Sequence, residues 1–370
     1  MTEQPWYRFD NESDVPSPAL VVYPAQVEEN VRRMIRLAGG TERLRPHVKT
    51  HKMAEVIRLQ MAAGIDKFKV ATIAEAEMVA SCGAADVLLA FPQVGPNAER
   101  LARLVKAFPK THFSTIADDS FLLLHLSAAM AVAETTIDVL LDIDCGMHRS
   151  GIEPGPKAFE LYQMMTTLPG VRPGGLHVYD GHVRDREISE RREHGEQSWV
   201  PVAKFIDQLQ AAKLPVPRIV AGGTPSFPVH AIHGDRECSP GTCVFWDVSY
   251  RTKFPELQFE NAAMLMGRVI SKPGERRLCL DLGYKSISPD NPWPRLEFPE
   301  IPDAQLVNHS EEHLAIETDH AGQYSVGDVV FGIPFHVCPS VALHREAVVV
   351  RDRRAVERWR VVARDRMITY

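Results

Sequence analysis

The segment Arg45-Pro46-His47-Val48-Lys49-Thr50-His51-Lys52 sets one lysine between two histidines, each two positions away. A primary amine at the C-terminal end of a barrel strand can form a Schiff base with a carbonyl cofactor. It needs burial or neighbouring cations to lower its pKa. Arg45, Lys52 and Arg149 are the candidate cations. That chemistry points to pyridoxal 5'-phosphate, and a phosphorylated cofactor needs an anion site. Gly222-Gly223-Thr224-Pro225-Ser226 supplies one: glycine lets backbone N–H groups approach an anion, and the hydroxyls of Thr224 and Ser226 add donors. Gly241 and Thr242, in Ser239-Pro240-Gly241-Thr242, join them. Arg149 can hold the phenolic oxygen of the cofactor, and His177 or Tyr179 can pack on its ring. His182 is a candidate base, with a hydroxide on a metal as the alternative.

A second constellation is Pro334-Phe335-His336-Val337-Cys338-Pro339. On a strand, residues two apart face the same side, so His336 and Cys338 are expected to share one divalent metal. Imidazole plus thiolate suits Zn, with Mn, Mg or Co as other divalent ions. Two protein ligands leave positions for water or substrate, which is the pattern of a catalytic site.

These residues need a scaffold. Short apolar runs at 44–49, 67–72, 86–91, 111–116, 137–144, 174–179, 217–222 and 241–246 read as buried parallel strands. Amphipathic stretches at 53–63, 73–81, 97–107, 119–133, 156–167 and 189–213 lie between them. Eight strands with intervening helices is the arithmetic of a (β/α)8 TIM barrel, with a doubly wound open sheet as the competitor. In a barrel the candidate residues above fall at C-terminal strand ends, where such folds place their chemistry. After residue 250 the pattern changes to strands at 263–270, 277–282, 313–317, 328–333, 346–351 and 359–363, with little helical signal. That part reads as a second, mostly antiparallel β domain. The expected division is 24–252 for a cofactor-binding barrel, and 1–23 plus 253–370 for a β domain carrying the metal ligands.

Composition excludes several classes. Lys plus Arg number 42 against 48 Asp plus Glu, so no nucleic-acid surface is expected. No apolar run reaches the length of a membrane span, and the N-terminus lacks the pattern of a signal peptide. Six scattered cysteines without a C-x-x-C pair read as reduced thiols of a cytoplasmic protein.

The segments taken in order resemble the D-threonine aldolase and D-serine dehydratase family, pyridoxal phosphate enzymes of the alanine-racemase barrel type. The matching stretches are PALVV at 18–22, RPHVKTHK at 45–52, ATIAEAE at 71–77, DCGMHRSG at 144–151, GGLHVYDGH at 174–182, GGTPS at 222–226, SPGT at 239–242, LDLGYK at 280–285, SEEHL at 310–314 and PFHVCP at 334–339. They span almost the whole chain, and the combination is specific although each piece is common. The resemblance implies Lys49 as the Schiff-base lysine, and Arg149 and Tyr179 beside the cofactor. It also implies Gly222, Gly223 and Thr224 around the phosphate, a divalent metal on His336 and Cys338, and residues 19–23 in the β domain. It implies a homodimer acting on a small D-3-hydroxy amino acid. Some aldolases of the family carry Asp where this chain has Cys338, whereas the dehydratases carry Cys. The stretches LDLGYKSISPDNP and RDRMITY look like the bacterial aldolase branch. The expected activity is therefore cleavage of a D-3-hydroxy amino acid to glycine and an aldehyde. The alternative is dehydration of D-serine or D-3-hydroxyaspartate to a 2-oxo acid and ammonia. A racemase or a non-catalytic pyridoxal phosphate-binding protein is the third reading; the large β domain and the H-x-C pair argue against the non-catalytic one.

Overall fold

The structure, a computed structural model, describes residues 4–370. The chain divides into two compact units. One holds the described residues up to Val31, with Thr50–Val56 and Thr242–Arg364. The other holds Arg32–Lys49, Ile57–Gly241 and Asp365–Tyr370.

The second of these contains the parallel sheet. Strands Lys67–Val70, Asp86–Leu89, His112–Ala117, Ile137–Ile143, Val171–Val178, Ile219–Ala221 and Glu237–Cys238 pair in sequence order, every pair parallel. Most of their residues are buried, which is why they read as apolar runs and not as alternating ones. Two of the helices between them start on side-chain caps. Thr72 accepts the Glu75 N–H ahead of Ile73–Ser81, and Asp119 accepts the N–H groups of Phe121 and Leu122 ahead of Ser120–Val132. Leu88, Ile116, Leu140 and Val220, from four of the strands, pack into one buried cluster.

Two expected strands are corrected. The stretch 44–49 is not a regular strand. Leu44 forms a parallel bridge to Cys238, and His47 one to Lys69. The Arg45 N–H donates to the Cys238 carbonyl at 2.9 Å, and the Lys69 N–H to the Pro46 carbonyl at 2.9 Å. This segment therefore joins the two edge strands of the seven-stranded sheet and closes the ring. Pro46 has no N–H to give, which limits the ladder to single bridges. Lys49 lies just beyond, in the 3-10 turn Val48–Thr50. The last strand is Glu237–Cys238 and not 241–246, where the buried run Thr242–Val244 forms a 3-10 turn. Residues 239–242 thus follow a strand instead of starting one.

Charged residues line the N-terminal ends of the same strands. Buried Arg45 pairs with Asp86 and Glu237, both at 2.6 Å. Lys67 reaches Glu237 at 3.0 Å, and Arg218 bridges Asp86 and Asp138. His112 sits between Asp138 at 2.9 Å and Asp86 at 3.4 Å.

In the other unit, Ala263–Gly274 is the hub of a mostly antiparallel sheet. It pairs antiparallel with Ala19–Val22, Arg277–Leu280 and Val329–Pro334. Ala19–Val22 also pairs with Glu346–Arg351, in parallel. Short strands Leu296–Glu297 and Gln305–His309, absent from the sequence reading, add to it. The expected strand at 359–363 is instead Arg354–Arg360, the return limb of a hairpin from Glu346–Arg351. Its two-residue turn, Asp352-Arg353, has φ of 46° and 60°, a geometry usually signalled by Asn-Gly or Asp-Gly. Tyr7, Val21, Met264, Phe331 and Val348 are among the residues of its core.

Candidate active site

Lys49 is exposed, and its own N–H donates to His47 Nδ1 at 3.3 Å. Arg45 and Lys52 do not serve it as neighbouring cations. Arg45 is spent on Asp86 and Glu237, and Lys52 Nζ lies 3.4 Å from the Ala363 carbonyl. The cation beside it is one that the sequence reading missed, Lys69. Lys69 is only 3% exposed. Burial, and then the Lys49 charge, pull its pKa down to about 7, while Asp142 and Asp180 oppose them. The only sequence signal was alternation in Lys67-Phe68-Lys69-Val70, which reads equally well as a solvated face.

Lys69 and Arg149 share the Tyr179 ring, at 5.7 and 4.7 Å from its centroid. Tyr179 follows the strand Val171–Val178, and Arg149 lies in the turn after Ile137–Ile143. That turn is built on Asp144, which accepts the N–H groups of Gly146 and His148 at 2.9 and 3.0 Å. His177 is buried on the strand, and its Nδ1 meets Asp142 Oδ1 at 2.7 Å. A carboxylate only accepts, so Nδ1 carries the proton. Burial lowers the pKa of His177 despite this bond, which leaves Nε2 as a bare acceptor. Among the described residues this buried Nε2 has no hydrogen-bond partner.

The glycine-rich turn is more committed than the sequence suggested. The Gly222 N–H goes to the Val178 carbonyl at 3.0 Å, and the Gly223 N–H to Ser226 Oγ at 3.1 Å. Thr224 Oγ1 accepts the Gly241 N–H at 3.1 Å. Ser226 Oγ in turn donates to Asp180 Oδ1 at 2.6 Å, so its one proton is not available to a phosphate. Ser226 braces the turn where the sequence reading had it as an anion donor. Asp180 Oδ2 also meets His230 Nε2 at 2.7 Å, and Arg236 donates to His230 Nδ1 at 3.1 Å. Arginine only donates, so His230 carries its proton on Nε2. A Cβ at Gly222, where φ is +73°, would lie 2.6 Å from the His230 ring. One at Gly223 would lie 3.0 Å from the Tyr179 ring. The turn thus runs hard against the tyrosine, and glycine is required at 222 by both φ and space.

His182 Nε2 meets Ser198 Oγ at 3.1 Å, and its ring packs edge-on to His194. Burial lowers its pKa, which suits a neutral base, and its Nδ1 has no partner among the described residues.

His336 and Cys338 do not lie on a strand. His336 is the residue before the helix Val337–Leu343, and Cys338 is in its first turn. They still meet. Burial alone would lower the pKa of His336, but its hydrogen bond to Cys338 and its partner Asp290 raise it to about 9. Asp290 bonds His336 Nδ1, the carboxylate–imidazole arrangement that orients a ligating histidine. Cys338 Sγ lies 3.1 Å from Thr50 Oγ1 and 3.7 Å from Thr242 Oγ1. Thr242, expected beside a phosphate, is thus placed with Cys338. No group of three or more His, Cys, Asp or Glu side chains among the described residues is arranged to hold a metal. None of the six cysteines is in a disulfide, and no helix among the described residues is long and apolar enough to cross a membrane.

Comparison with known proteins agrees with this architecture. Residues 22–248 match the alanine racemase N-terminal domain, and residues 262–350 the putative serine dehydratase domain. The chain therefore belongs to the alanine racemase-like family of lyases that includes D-threonine aldolase. A D-threonine aldolase from Arthrobacter sp is 32% identical, covering 95% of this chain and 93% of that one. The crystal structure of D-threonine aldolase from Filomicrobium marinum superposes with a TM-score of 0.88 at 29% identity, over 95% and 96% of the two chains. D-threo-3-hydroxyaspartate dehydratase of Delftia sp. (strain HT23) is 26% identical, over 93% and 96%.

Proposed function

We propose that this protein is a pyridoxal 5'-phosphate- and divalent-metal-dependent D-threonine aldolase-type lyase. It cleaves the Cα–Cβ bond of a D-3-hydroxy amino acid and releases glycine and an aldehyde. The observation that carries the reading is the set of groups at Tyr179: buried Lys69 and exposed Arg149 on one ring, and buried His177 close by, whose Nε2 has no hydrogen-bond partner among the described residues. Such a set suits a planar, anionic, nitrogen-bearing ring. When bound, the cofactor supplies a sink for the electron pair of the broken bond. Lys49 is the amine that would hold it, with Arg149, His177 and Tyr179 beside the ring and Gly222, Gly223, Thr224, Ser226, Gly241 and Thr242 shaping the phosphate end. His336 and Cys338 would hold a divalent ion (Zn, Mn, Mg or Co), whose chemistry is to acidify the substrate hydroxyl.

The chain's own residues do the rest. Asp142 fixes the His177 tautomer. Asp180 and Ser226 hold the glycine turn against Tyr179. His182 Nδ1 accepts the proton of the β-hydroxyl as the Cα–Cβ bond breaks, and Cα takes up a proton as glycine forms. No water is consumed. We further propose the division into a cofactor part, 24–252, and a metal part, 1–23 plus 253–370, and a homodimeric, cytoplasmic enzyme.

The second reading, dehydration, is favoured by Cys338 and by the similarity to the Delftia dehydratase. There Lys49 Nζ removes the α-proton, and the hydroxyl leaves. A product assay with D-threonine and D-serine separates the two. Glycine with acetaldehyde is expected. If 2-oxobutanoate or pyruvate appears with ammonia and no aldehyde, the aldolase reading fails.

A further inference from the structure

We propose that Lys69 is a binding residue for an acidic oxygen of the ligand, kept buried with no hydrogen bond or ion pair to its amine among the described residues so that it can receive that oxygen. The inference rests on the pyridoxal phosphate reading above and adds a residue that no motif marked.

The placement is fixed by the backbone. Lys69 is the third residue of Lys67–Val70, and its N–H is bonded to the Pro46 carbonyl of the closing segment. A lysine that is buried for its stem alone brings its head to water or to a carboxylate. Here the whole residue is 3% exposed, and Nζ has neither a hydrogen bond nor an ion pair among the described residues. The charged and titratable groups around it are Lys49 from the turn Val48–Thr50, Asp142 from Ile137–Ile143, Arg149 from the following turn, and His177, Tyr179 and Asp180 from Val171–Val178 and beyond.

Both carboxylates in that set are already engaged. Asp142 gives one oxygen to His177 and the other to Ser150 at 3.0 Å. Asp180 gives its two to Ser226 and His230. They are near enough to be felt by the amine but are held by other donors. An amine surrounded in this way is left for a ligand.

The ligand chemistry follows. Burial and the Lys49 charge hold the amine down to about 7. An arriving anion opposes both effects and favours the charged form, so anion binding draws a proton onto Nζ. Two sources supply such an oxygen: the ring hydroxyl of the cofactor and the α-carboxylate of the amino acid.

The test is isothermal titration calorimetry on the apo-protein at about pH 8, above the titration of Lys69. Two buffers of different ionisation enthalpy give the protons taken up per binding event. Pyridoxal 5'-phosphate is the first probe. D-Alanine, which has no β-hydroxyl to cleave, is added to the loaded protein as the second. Uptake in the first step assigns the ring oxygen, and uptake in the second the carboxylate. Lys69→Met should abolish that uptake and weaken that step about ten- to hundredfold, as expected for losing a hydrogen bond to a charged group. Lys69→Arg, always charged, should keep most of the affinity and show no uptake, which separates anion binding from a packing defect. Equal proton uptake and affinity in wild type and Lys69→Met would overturn the assignment. A wild-type protein that does not bind pyridoxal 5'-phosphate at all would instead overturn the cofactor reading, so the two failures are distinct.

Discussion

Arg45→Met should cost the barrel unit about 2–4 kcal/mol. Arg45 is fully buried and holds two carboxylates, Asp86 and Glu237, at 2.6 Å each. Removing one partner of a buried pair costs about 3–5 kcal/mol, because the remaining charge is stranded. Two features reduce that figure. The Asp86 and Glu237 side chains keep 18% and 17% exposure. Each also retains another cation: Arg218 and His112 on Asp86, and Lys67 on Glu237. At about 2–4 °C per kcal/mol for a domain of about 150–250 residues, thermal unfolding of the variant should fall by about 4–16 °C. The pH dependence carries a sign. The carboxyls of Asp86, Asp138 and Glu237 are held below their ordinary range; burial opposes this and is outweighed by His112 and Arg45 at Asp86, by His112 and Arg172 at Asp138, and by Arg45 and Lys67 at Glu237. Their stabilisation is complete above about pH 4 and is lost as pH falls through the depressed values. His112 is raised to about 9, chiefly by Asp138 and Asp86. Its contribution is complete below about pH 6.5 and is lost as pH rises toward 9. His112→Asn should therefore flatten the alkaline limb of a plot of unfolding temperature against pH and leave the acid limb in place. The assay is differential scanning fluorimetry from acid to alkaline pH with the two variants. An Arg45→Met protein that melts with wild type at neutral pH would show that this ring of charges is a solvated surface and not a buried network.

Other outcomes follow from the site. Lys49→Ala should lose the lysine-bound visible chromophore on adding pyridoxal 5'-phosphate; an unchanged band would remove Lys49 from its assigned place. Asp180→Asn keeps the shape but can no longer accept from both Ser226 and His230. It should weaken cofactor binding about tenfold, from the cost of about 1–3 kcal/mol for a broken buried hydrogen bond, as read by equilibrium dialysis. Gly222→Ala should weaken folding or cofactor binding more than Gly234→Ala. Only at Gly222 does φ reach +73°, with the His230 ring 2.6 Å from the new Cβ, whereas Gly234 has open space. Chelation, or Cys338→Ala, should stop aldehyde release while the visible cofactor band stays; full activity after exhaustive chelation would contradict the metal role.

Much of this architecture was legible because buried parallel strands make short apolar runs, and six of the seven strands fell where those runs are. The misplaced ones have local causes. Pro46 interrupts the ladder of 44–49, and the apolar run after Gly241 is buried as a turn although its composition is that of a strand. The hairpin at Asp352-Arg353 lacks the glycine that would have announced it. At the site, residue type singled out Lys49, Arg149 and Tyr179 as candidates, but not who stands next to whom. Arg45 is close to Lys49 in sequence and belongs to the opposite end of the strands; Lys69, twenty residues on, is the neighbour. His336 and Cys338 were paired by an argument about strands; they meet instead at a helix start, where His336 is the extended cap residue and Cys338 lies in the first turn.

Lys49, the proposed Schiff-base lysine, follows the segment that joins the first and last strands of the ring. That seam is the longest-range pairing in the barrel, linking Leu44 to Cys238, and contacts so distant in sequence close late. Until it closes, Lys49 has no fixed relation to Lys69, Tyr179 or the glycine turn. In a nascent or half-folded chain Lys49 is therefore one amine among many, and its place beside Lys69 comes only with this last closure. The same closure gives a bound cofactor mechanical leverage. A molecule fastened to Lys49 and resting on Tyr179 would rivet the seam from inside, and amide exchange at Arg45 and Lys69 would slow before that of any other pair in the sheet.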